Sequence, residues 1–310
     1  MRTRRWLARG LGALLVATVL VACTTEPEKK DESAEPSVPP TGPCTVESER
    51  GDVVHSLTVN GKKRSYLLYA PEGLPTDERL PVVFMFHGLG QEPADAVTYS
   101  GFDQAAADEG FIVVAPLGSV DGPGWTVGTK GRSADAKFIA ALNEAVVERH
   151  CADPAREYAV GMSNGSALAF ELACTGDFPF AAYGGVAYMT YDGCDSAPPT
   201  SFIYFHGTAD PAVPYTGGAT PLGRVEPVND SLTGWLAHDQ CGEPQAYEEP
   251  ADDLQHFTWS CPSATIETYI VLGGGHTWPG SEGVGGQGYT TESVDATAEM
   301  LRFFDLVRAD

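Results

Sequence analysis

A serine stands between two glycines in Gly161-Met162-Ser163-Asn164-Gly165, with the spacing G-x-S-x-G of a nucleophile elbow. An apolar stretch precedes it at 158–160 and a helix-like stretch follows, which is the strand–turn–helix context that an elbow requires. In such a turn the serine adopts an unfavourable backbone conformation that presents its hydroxyl to a cleft. With 35 glycines in the chain, a purely structural turn is the alternative. The context favours Ser163 as a nucleophile.

A serine nucleophile needs a base and a carboxylate that orients the base. His276 is the best candidate base, because it directly follows the apolar stretch 266–272 and three glycines. Asp210 ends the segment HGTAD, which follows the apolar stretch 201–205. The chain order of serine, aspartate and histidine is the order found in α/β-hydrolases. We therefore predict Ser163, Asp210 and His276 as catalytic residues.

Acyl transfer also needs donors for the oxyanion that develops on the substrate carbonyl. The backbone N–H of Asn164 follows the nucleophile at a helix N-terminus and is one candidate. The second should come from the turn after the strand at 81–86, and the N–H of Leu89 in His87-Gly88-Leu89-Gly90 is the best placed. These two amides are the predicted oxyanion hole.

Short apolar strands alternate with helix-length stretches from residue 44 onward, which predicts an α/β domain with a mostly parallel central sheet and helices on both faces. Stretches 53–59 and 64–69 flank Asn60-Gly61 and predict an opening hairpin. Four apolar strands end in polar, glycine-rich turns, namely HGLGQ at 87–91, GMSNG at 161–165, HGTAD at 206–210 and GGGHTW at 273–278. Ligands of α/β sheets bind at the carboxyl ends of strands, so these turns are expected to share one rim.

The N-terminal part has the features of an export signal. Residues 1–22 combine four arginines with a short apolar stretch, and the stretch ends in Leu20-Val21-Ala22-Cys23, which resembles a bacterial lipobox. We predict a lipoprotein signal peptide over 1–22 and lipidation of Cys23, with an ordinary signal peptide as the alternative. Residues 23–43 are rich in Pro, Glu, Ser and Lys and predict a disordered tether between a lipid anchor in the membrane and the folded domain. The domain itself is predicted over 44–310.

The net charge argues against one class of ligand, and the cysteine content predicts disulfide bonds. The net charge is −23, and removing a signal with four arginines and no acids makes it −27, so nucleic-acid binding is not expected. Besides Cys23, six cysteines remain in a chain with export features, which predicts three disulfides. The pairs inferred from local spacing are Cys174–Cys194 and Cys241–Cys261, which leaves Cys44–Cys151. None stands in a Cys-x-x-Cys pair, and no metal site is predicted.

Four segments together resemble the secreted esterase family of polyhydroxybutyrate depolymerases and feruloyl esterases, including lipoproteins of that type. They are HGLGQ, CADPAREYAVGMSNGSALAFELAC, FHGTADPAVPY and GGGHTWPG, and the resemblance covers about residues 44–310. It implies the α/β-hydrolase fold, the catalytic roles of Ser163, Asp210 and His276, and the oxyanion donors Leu89 and Asn164.

The resemblance also implies substrate contacts near the site. A tryptophan at the position of Trp278 lies near the acyl or aromatic part of the substrate in similar enzymes, and Trp125 is in a comparable rim loop; ordinary packing is the alternative for both. His87 is a further candidate contact, although an imidazole in a His-Gly turn more often braces the loop. Many relatives have a paired cysteine where this chain has Gly128-Thr129-Lys130, so the shape of that pocket wall is not transferable.

These observations predict an extracytoplasmic serine esterase without metal or organic cofactor, either lipid-anchored or secreted. Short-chain, polyhydroxyalkanoate, feruloyl and acetyl esters are all candidate substrates, and the oligomeric state stays open. One alternative is an amidase or peptidase with the same three residues. The other is a surface-binding lipoprotein that uses the fold without catalysis.

Overall fold

A computed structural model describes residues 50–306 of the 310-residue chain, except for 76, 120–122, 179, 196, 221–222 and 283–285. The described residues belong to one compact unit. The predicted signal peptide, the tether, Cys23 and Cys44 lie outside the described residues. Within the described part, no helix combines the length and apolarity that crossing a membrane would take.

The described chain forms a ten-stranded sheet, a small two-stranded hairpin and six helices. The strands are β1 (Gly51–Val59), β2 (Lys62–Ala70), β3 (Leu80–Phe86), β4 (Ile112–Pro116), β5 (Ala152–Met162), β6 (Ala182–Val186), β7 (Phe202–Gly207), β8 (Gly218–Thr220), β9 (Gly223–Val225), β10 (Ala246–Ala251), β11 (Leu254–Ser260) and β12 (Thr265–Val271). The helices are α1 (Pro93–Ser100), α2 (Phe102–Glu109), α3 (Ala134–Arg149), α4 (Asn164–Thr175), α5 (Val228–His238) and α6 (Ala296–Phe303).

The central strands of the sheet run parallel and the outer strands antiparallel. The order is β1-β2-β4-β3-β5-β6-β7-β12-β11-β10, with parallel pairing from β4 through to β12. Strands β3 and β4 are buried along their whole length, which explains their unbroken apolar sequences. The edge strand β1 alternates between half-buried and exposed residues and pairs with β2 through the predicted Asn60-Gly61 turn, where φ is 50° and 74°.

Two apolar cores lie on opposite faces of the sheet, so the mostly parallel sheet with helices on both faces is confirmed. Alternate residues of β3 divide between them, with Phe84 in one core and Val83 in the other. Helices α3, α4 and α5 cover the first face, and α1, α2 and α6 cover the second. Helix α3 begins with a side-chain N-cap, since Ser133 Oγ accepts a hydrogen bond of 2.9 Å from Ala136 N–H.

Disulfides tie loops to the first face. The structure contains the predicted bonds Cys174–Cys194 and Cys241–Cys261. Cys151 is also disulfide-bonded, while its predicted partner Cys44 lies outside the described residues. Disulfides of this kind persist in oxidising compartments, so they favour an exported protein.

Candidate active site

Ser163 is the single residue between β5 and α4, and its backbone is strained. Its φ is 56° and its ψ is −121°, a conformation that non-glycine residues rarely adopt. The flanking glycines permit the sharp turn. A Cβ on Gly161 would lie 2.4 Å from the carbonyl carbon of Gly165, and one on Gly165 would lie 2.0 Å from the oxygen of Phe86. The turn has the geometry of a nucleophile elbow.

His276 and Asp210 are joined by a hydrogen bond of 2.7 Å between His276 Nδ1 and Asp210 Oδ2. The other carboxylate oxygen accepts bonds of 2.8 Å from the N–H groups of Ala212 and Val213. Burial raises the pKa of Asp210, but hydrogen bonds from His206, His276 and the backbone outweigh it and hold that pKa well below its usual range. An ionised carboxylate fixes the histidine tautomer, with the proton on Nδ1 and the lone pair on Nε2.

A second histidine, His206, supports the same carboxylate, and no role in the site was predicted for this residue from the sequence. Its Nε2 lies 2.9 Å from the oxygen of Val213 and 3.5 Å from Asp210 Oδ2, and its Nδ1 lies 2.5 Å from the Tyr204 hydroxyl. Because a carbonyl oxygen can only accept, Nε2 carries the hydrogen that points to Val213 and Asp210. This arrangement fixes the turn that holds Asp210.

Ser163 and His276 line one cavity of about 800 Å³ at the carboxyl ends of the central strands. Helix α1 and the turn before it supply polar residues to the wall, namely Gln91, Asp95, Thr98 and Tyr99. Apolar lining residues include Met162, Pro211, Ala212, Val213 and Val225. Among the described lining residues there is one carboxylate, Asp95, and no lysine or arginine. The cavity is therefore suited to uncharged groups more than to anions.

Another cavity, of about 620 Å³, is lined by residues of β10, β11, β12 and α6 and of the loop before α6. Its wall combines five acidic side chains with His256 and Arg302. None of the predicted site residues lines it. Among the described residues, no cluster of three or more His, Cys, Asp or Glu side chains is arranged to hold a metal ion.

Of the two predicted oxyanion donors, Leu89 lines the cavity that Ser163 and His276 share, and Asn164 directly follows Ser163 in the chain. Neither backbone N–H has a hydrogen-bond acceptor within the described part of the chain. Leu89 lines the cavity beside Gly88, where an added Cβ would lie 3.8 Å from Ser163 Cβ. The neighbouring amides of Gly90 and Gln91 are bonded, at 2.7 and 3.2 Å, to backbone carbonyls of other residues. Asn164 is the first residue of α4, whose N–H has no acceptor within the helix. Acyl transfer uses a serine nucleophile, a histidine oriented by a carboxylate, and backbone amides that are free to bind an oxyanion. Groups of all three kinds are present here.

His87 lies behind the wall and braces the turn instead of lining the cavity. It is fully buried, and burial lowers its pKa. Its Nε2 accepts a bond of 3.0 Å from Gly118 N–H, and its Nδ1 lies 2.8 Å from the oxygen of Gly88. Both ring nitrogens are thus used within the protein. The placement differs from that of a substrate contact, because no polar atom of the imidazole is left for a ligand.

The two tryptophans predicted near the substrate are also buried behind the wall. Trp125 donates its indole N–H to the oxygen of His87 at 2.9 Å, and its backbone exchanges bonds of 2.6 and 3.2 Å with the Asn164 side chain. Trp278 donates its indole N–H to Thr297 Oγ1 at 3.0 Å and packs edge-on against Phe102. Neither tryptophan lines the cavity, and both are buried. Their positions agree with the alternative that these residues serve ordinary packing.

A buried carboxylate holds the loop at 128–131 in place. Glu171 on α4 accepts hydrogen bonds from the N–H groups of Gly128, Thr129 and Gly131, at 2.5, 3.3 and 2.8 Å, and from the Thr129 hydroxyl at 2.7 Å. These charge-assisted bonds fix the loop without a covalent link. No sequence pattern pointed to Glu171, because α4 reads as an apolar helix.

Residues 64–213 match the family model described as Esterase PHB depolymerase. The protein NocK of Nocardia uniformis subsp. tsuyamanensis, named as an esterase, is 26% identical over 94% of this chain and 95% of its own length. An Aspergillus terreus protein named "Probable feruloyl esterase C" is 30% identical over 61% of this chain and 69% of its own length. The structure of an acetyl xylan esterase from Aspergillus awamori has a TM-score of 0.62 at 16% identity and covers 82% of this chain and 100% of its own, which shows a shared fold. The chain therefore belongs to the family of polyhydroxybutyrate depolymerases and feruloyl esterases, and it has the α/β-hydrolase fold of those esterases.

Proposed function

We propose that the protein is a serine carboxylic-ester hydrolase with Ser163 as nucleophile, His276 as general base and Asp210 as the orienting carboxylate. The observation that carries the proposal is the 2.7 Å bond between His276 and Asp210, at the cavity that the strained Ser163 also lines. Membership of an esterase family supports the reaction class. Because site geometry decides function within a fold, the complete set of groups argues against a purely binding protein.

In the proposed cycle, His276 Nε2 takes the proton of the Ser163 hydroxyl as its oxygen attacks the ester carbonyl. The amides of Leu89 and Asn164 stabilise the tetrahedral oxyanion. His276 then protonates the departing alcohol, and the acyl group stays on the serine. Water enters, gives a proton to His276, and attacks the acyl-enzyme. His276 returns that proton to the Ser163 oxygen as the acid leaves. Asp210 stays ionised throughout and stabilises the imidazolium.

The substrate is proposed to be a short-chain, polyhydroxyalkanoate-type, feruloyl or acetyl ester. The names of the A. terreus and A. awamori proteins support the last two classes. The absence of a cation among the described cavity residues supports an uncharged ester. An amidase or peptidase reaction uses the same groups and is the competing outcome of the test below.

The place of action is proposed to be outside the cytoplasm, at a membrane surface. Support comes from the lipobox-like segment ending at Cys23 and from the disulfides of the folded domain. Metabolic labelling with an alkyne fatty acid is expected to mark the wild-type protein and not Cys23→Ala. Equal labelling of both proteins would overturn the anchor.

The reaction is tested with p-nitrophenyl butyrate and the matched anilide. We expect ester turnover, little anilide turnover, and a loss in kcat on the order of 10⁶-fold for Ser163→Ala and 10⁴-fold for Asp210→Asn. Ser260→Ala, an exposed serine on β11, is the matched control and should keep full activity. Retained activity in Ser163→Ala, or preference for the anilide, would contradict the proposal.

A further inference from the structure

Tyr99 brings helix α1 into contact with the loop that carries His276. It is half-buried and lines the same cavity as Ser163 and His276. Its hydroxyl oxygen accepts a hydrogen bond of 3.1 Å from the backbone N–H of Trp278, two residues after His276. The contact joins residues 179 positions apart in the chain.

The hydroxyl of Tyr99 is packed into this loop. His276 and Gln287 exchange backbone hydrogen bonds of 2.7 and 2.9 Å, and Gly286 lies beside that pair. A Cβ on Gly286 would lie 2.7 Å from the Tyr99 hydroxyl and 2.8 Å from the backbone oxygen of His276. Only glycine leaves room for this approach, so the phenol and the histidine backbone are held close together.

A second link fastens the same loop to the end of α1. The indole N–H of Trp278 donates to Thr297 Oγ1 at 3.0 Å, and that hydroxyl donates to the oxygen of Ser100 at 2.5 Å. The last two residues of α1 therefore hold Trp278, Tyr99 by accepting from its backbone N–H and Ser100 through Thr297. Strand β12 ends at Val271, and His276 lies in the loop that follows, outside the sheet. The position of His276 therefore depends on contacts of the loop such as these.

Donor counting leaves the Tyr99 hydrogen available to a ligand. A phenol has one O–H donor, and its oxygen is already the acceptor for Trp278 N–H. Within the described part of the chain, that O–H has no hydrogen-bond acceptor, and the residue lines the cavity. Asp95, one helical turn earlier, supplies a carboxylate acceptor to the same wall.

We propose that Tyr99 has two roles, both of which rest on the proposed esterase function. Its oxygen positions His276 through the amide of Trp278, and its O–H donates a hydrogen bond to an oxygen of the substrate. Together with Asp95, it forms a subsite for an uncharged group that bears hydroxyls. A hydroxyl bound there accepts from Tyr99 and donates to Asp95, whereas an anionic group meets a carboxylate of like charge.

The test compares two butyrate esters, glyceryl 1-monobutyrate and propyl butyrate. They differ only in the two hydroxyls on the alcohol part and are called glyceryl butyrate and propyl butyrate below. Tyr99→Phe is expected to lower kcat for propyl butyrate about tenfold, because the histidine loop loses its anchor. The ratio of kcat/KM for glyceryl over propyl butyrate should fall about tenfold in addition, because the donor is lost. Thr297→Val, the control, loosens the loop and leaves the donor, so it should slow both esters equally and keep the ratio.

An unchanged ratio in a folded Tyr99→Phe protein would overturn the donor role, and an unchanged kcat on propyl butyrate would overturn the positioning role. Should that variant fail to fold, 3-fluorotyrosine at position 99 replaces it. This residue keeps the hydroxyl as a stronger donor and a weaker acceptor, so the glyceryl-to-propyl ratio should rise; a ratio that does not rise contradicts the donor role. Failure of the esterase proposal itself would look different, because either the wild type would hydrolyse neither ester or Ser163→Ala would hydrolyse both as fast as the wild type.

Discussion

A buried carboxyl on β5 makes the stability of the fold depend on pH. Glu157 is fully buried; its Oε2 accepts a hydrogen bond of 2.9 Å from Asn143 Nδ2, and its Oε1 has no hydrogen-bond partner in the described part of the chain. Burial raises the pKa of Glu157 from 4.5 to about 7, the bond from Asn143 opposes that rise, and the charge of Asp153 adds to it. The folded protein therefore keeps this proton to a higher pH than the unfolded chain does.

The sign of the effect follows from the proton count. Between about pH 4.5 and 7 the folded state binds more protons than the unfolded state, so the free energy of unfolding falls as the pH rises through this window. The pKa of Glu157 is about 7 in the folded protein and 4.5 in the unfolded chain. This gap corresponds to a change of about 3 kcal/mol in the free energy of unfolding. Below this window the contribution is fully present, and above about pH 8 no further loss is expected.

Glu157→Gln removes the ionisation and keeps an oxygen that can accept from Asn143. We expect the free energy of unfolding of the variant, relative to wild type, to rise by about 3 kcal/mol between pH 4.5 and 8. Urea denaturation with the disulfides intact measures this difference at each pH. Glu144→Gln, on the exposed face of α3, is the matched control and should show no such trend. A difference for Glu157→Gln that is the same at both ends of the range would refute the reasoning.

Three further substitutions test the supports of the site. His206→Gln removes an imidazole that fixes the Asp210 turn. Steady-state kinetics should show kcat falling about tenfold at unchanged KM, which corresponds to the loss of one hydrogen bond of about 1.4 kcal/mol. An unchanged kcat would contradict this role of His206. Glu171→Gln weakens four bonds to one loop and should lower the free energy of unfolding by about 1–3 kcal/mol in urea, whereas an unmoved midpoint would argue against that role. Gly165→Ala places a methyl group 2.0 Å from a backbone oxygen of β3 and should cost more than about 3 kcal/mol, against less than about 1 kcal/mol for the uncrowded Gly242→Ala, with thermal unfolding as the measurement.

Local sequence patterns predicted the parts of the fold that local physics determines. The G-x-S-x-G segment predicted the elbow because only glycines fit beside Ser163, and Asn60-Gly61 predicted the first hairpin because its turn requires positive φ. Fully buried strands such as β3 are recognisable because no position on them faces water. The two disulfides predicted from local spacing join cysteines 20 residues apart, where little chain separates the partners.

Elements without such patterns were missed. Helices α1 and α2 have eight residues each and meet at Gly101, so neither shows two full turns of apolar periodicity. Strand β6 contains Gly184 and Gly185, which resemble a loop in sequence; the structure requires them because a Cβ would lie 2.8 Å from Met300 Sδ or 2.5 Å from the Phe170 ring. These constraints come from residues far away in the chain.

The candidate active site likewise contains residues that the sequence predicted and residues that it did not. Position after a strand was enough to select Asp210 and His276, because the carboxyl ends of parallel strands converge. The supporting side chains, His206 and Tyr99, owe their roles to where their neighbours lie. Tyr99 in particular reaches Trp278 only because the loop after β12 returns to α1. No spacing in the sequence encodes that contact.

The most direct test of the account is to locate the activated nucleophile. The full chain, produced with its disulfides, is treated with a fluorophosphonate and digested, and the modified peptide is identified by mass spectrometry. We predict one adduct on Ser163, absent in Ser163→Ala and formed far more slowly in His276→Ala. A folded, disulfide-intact protein that forms no adduct, or forms it on another serine, would contradict the central claim.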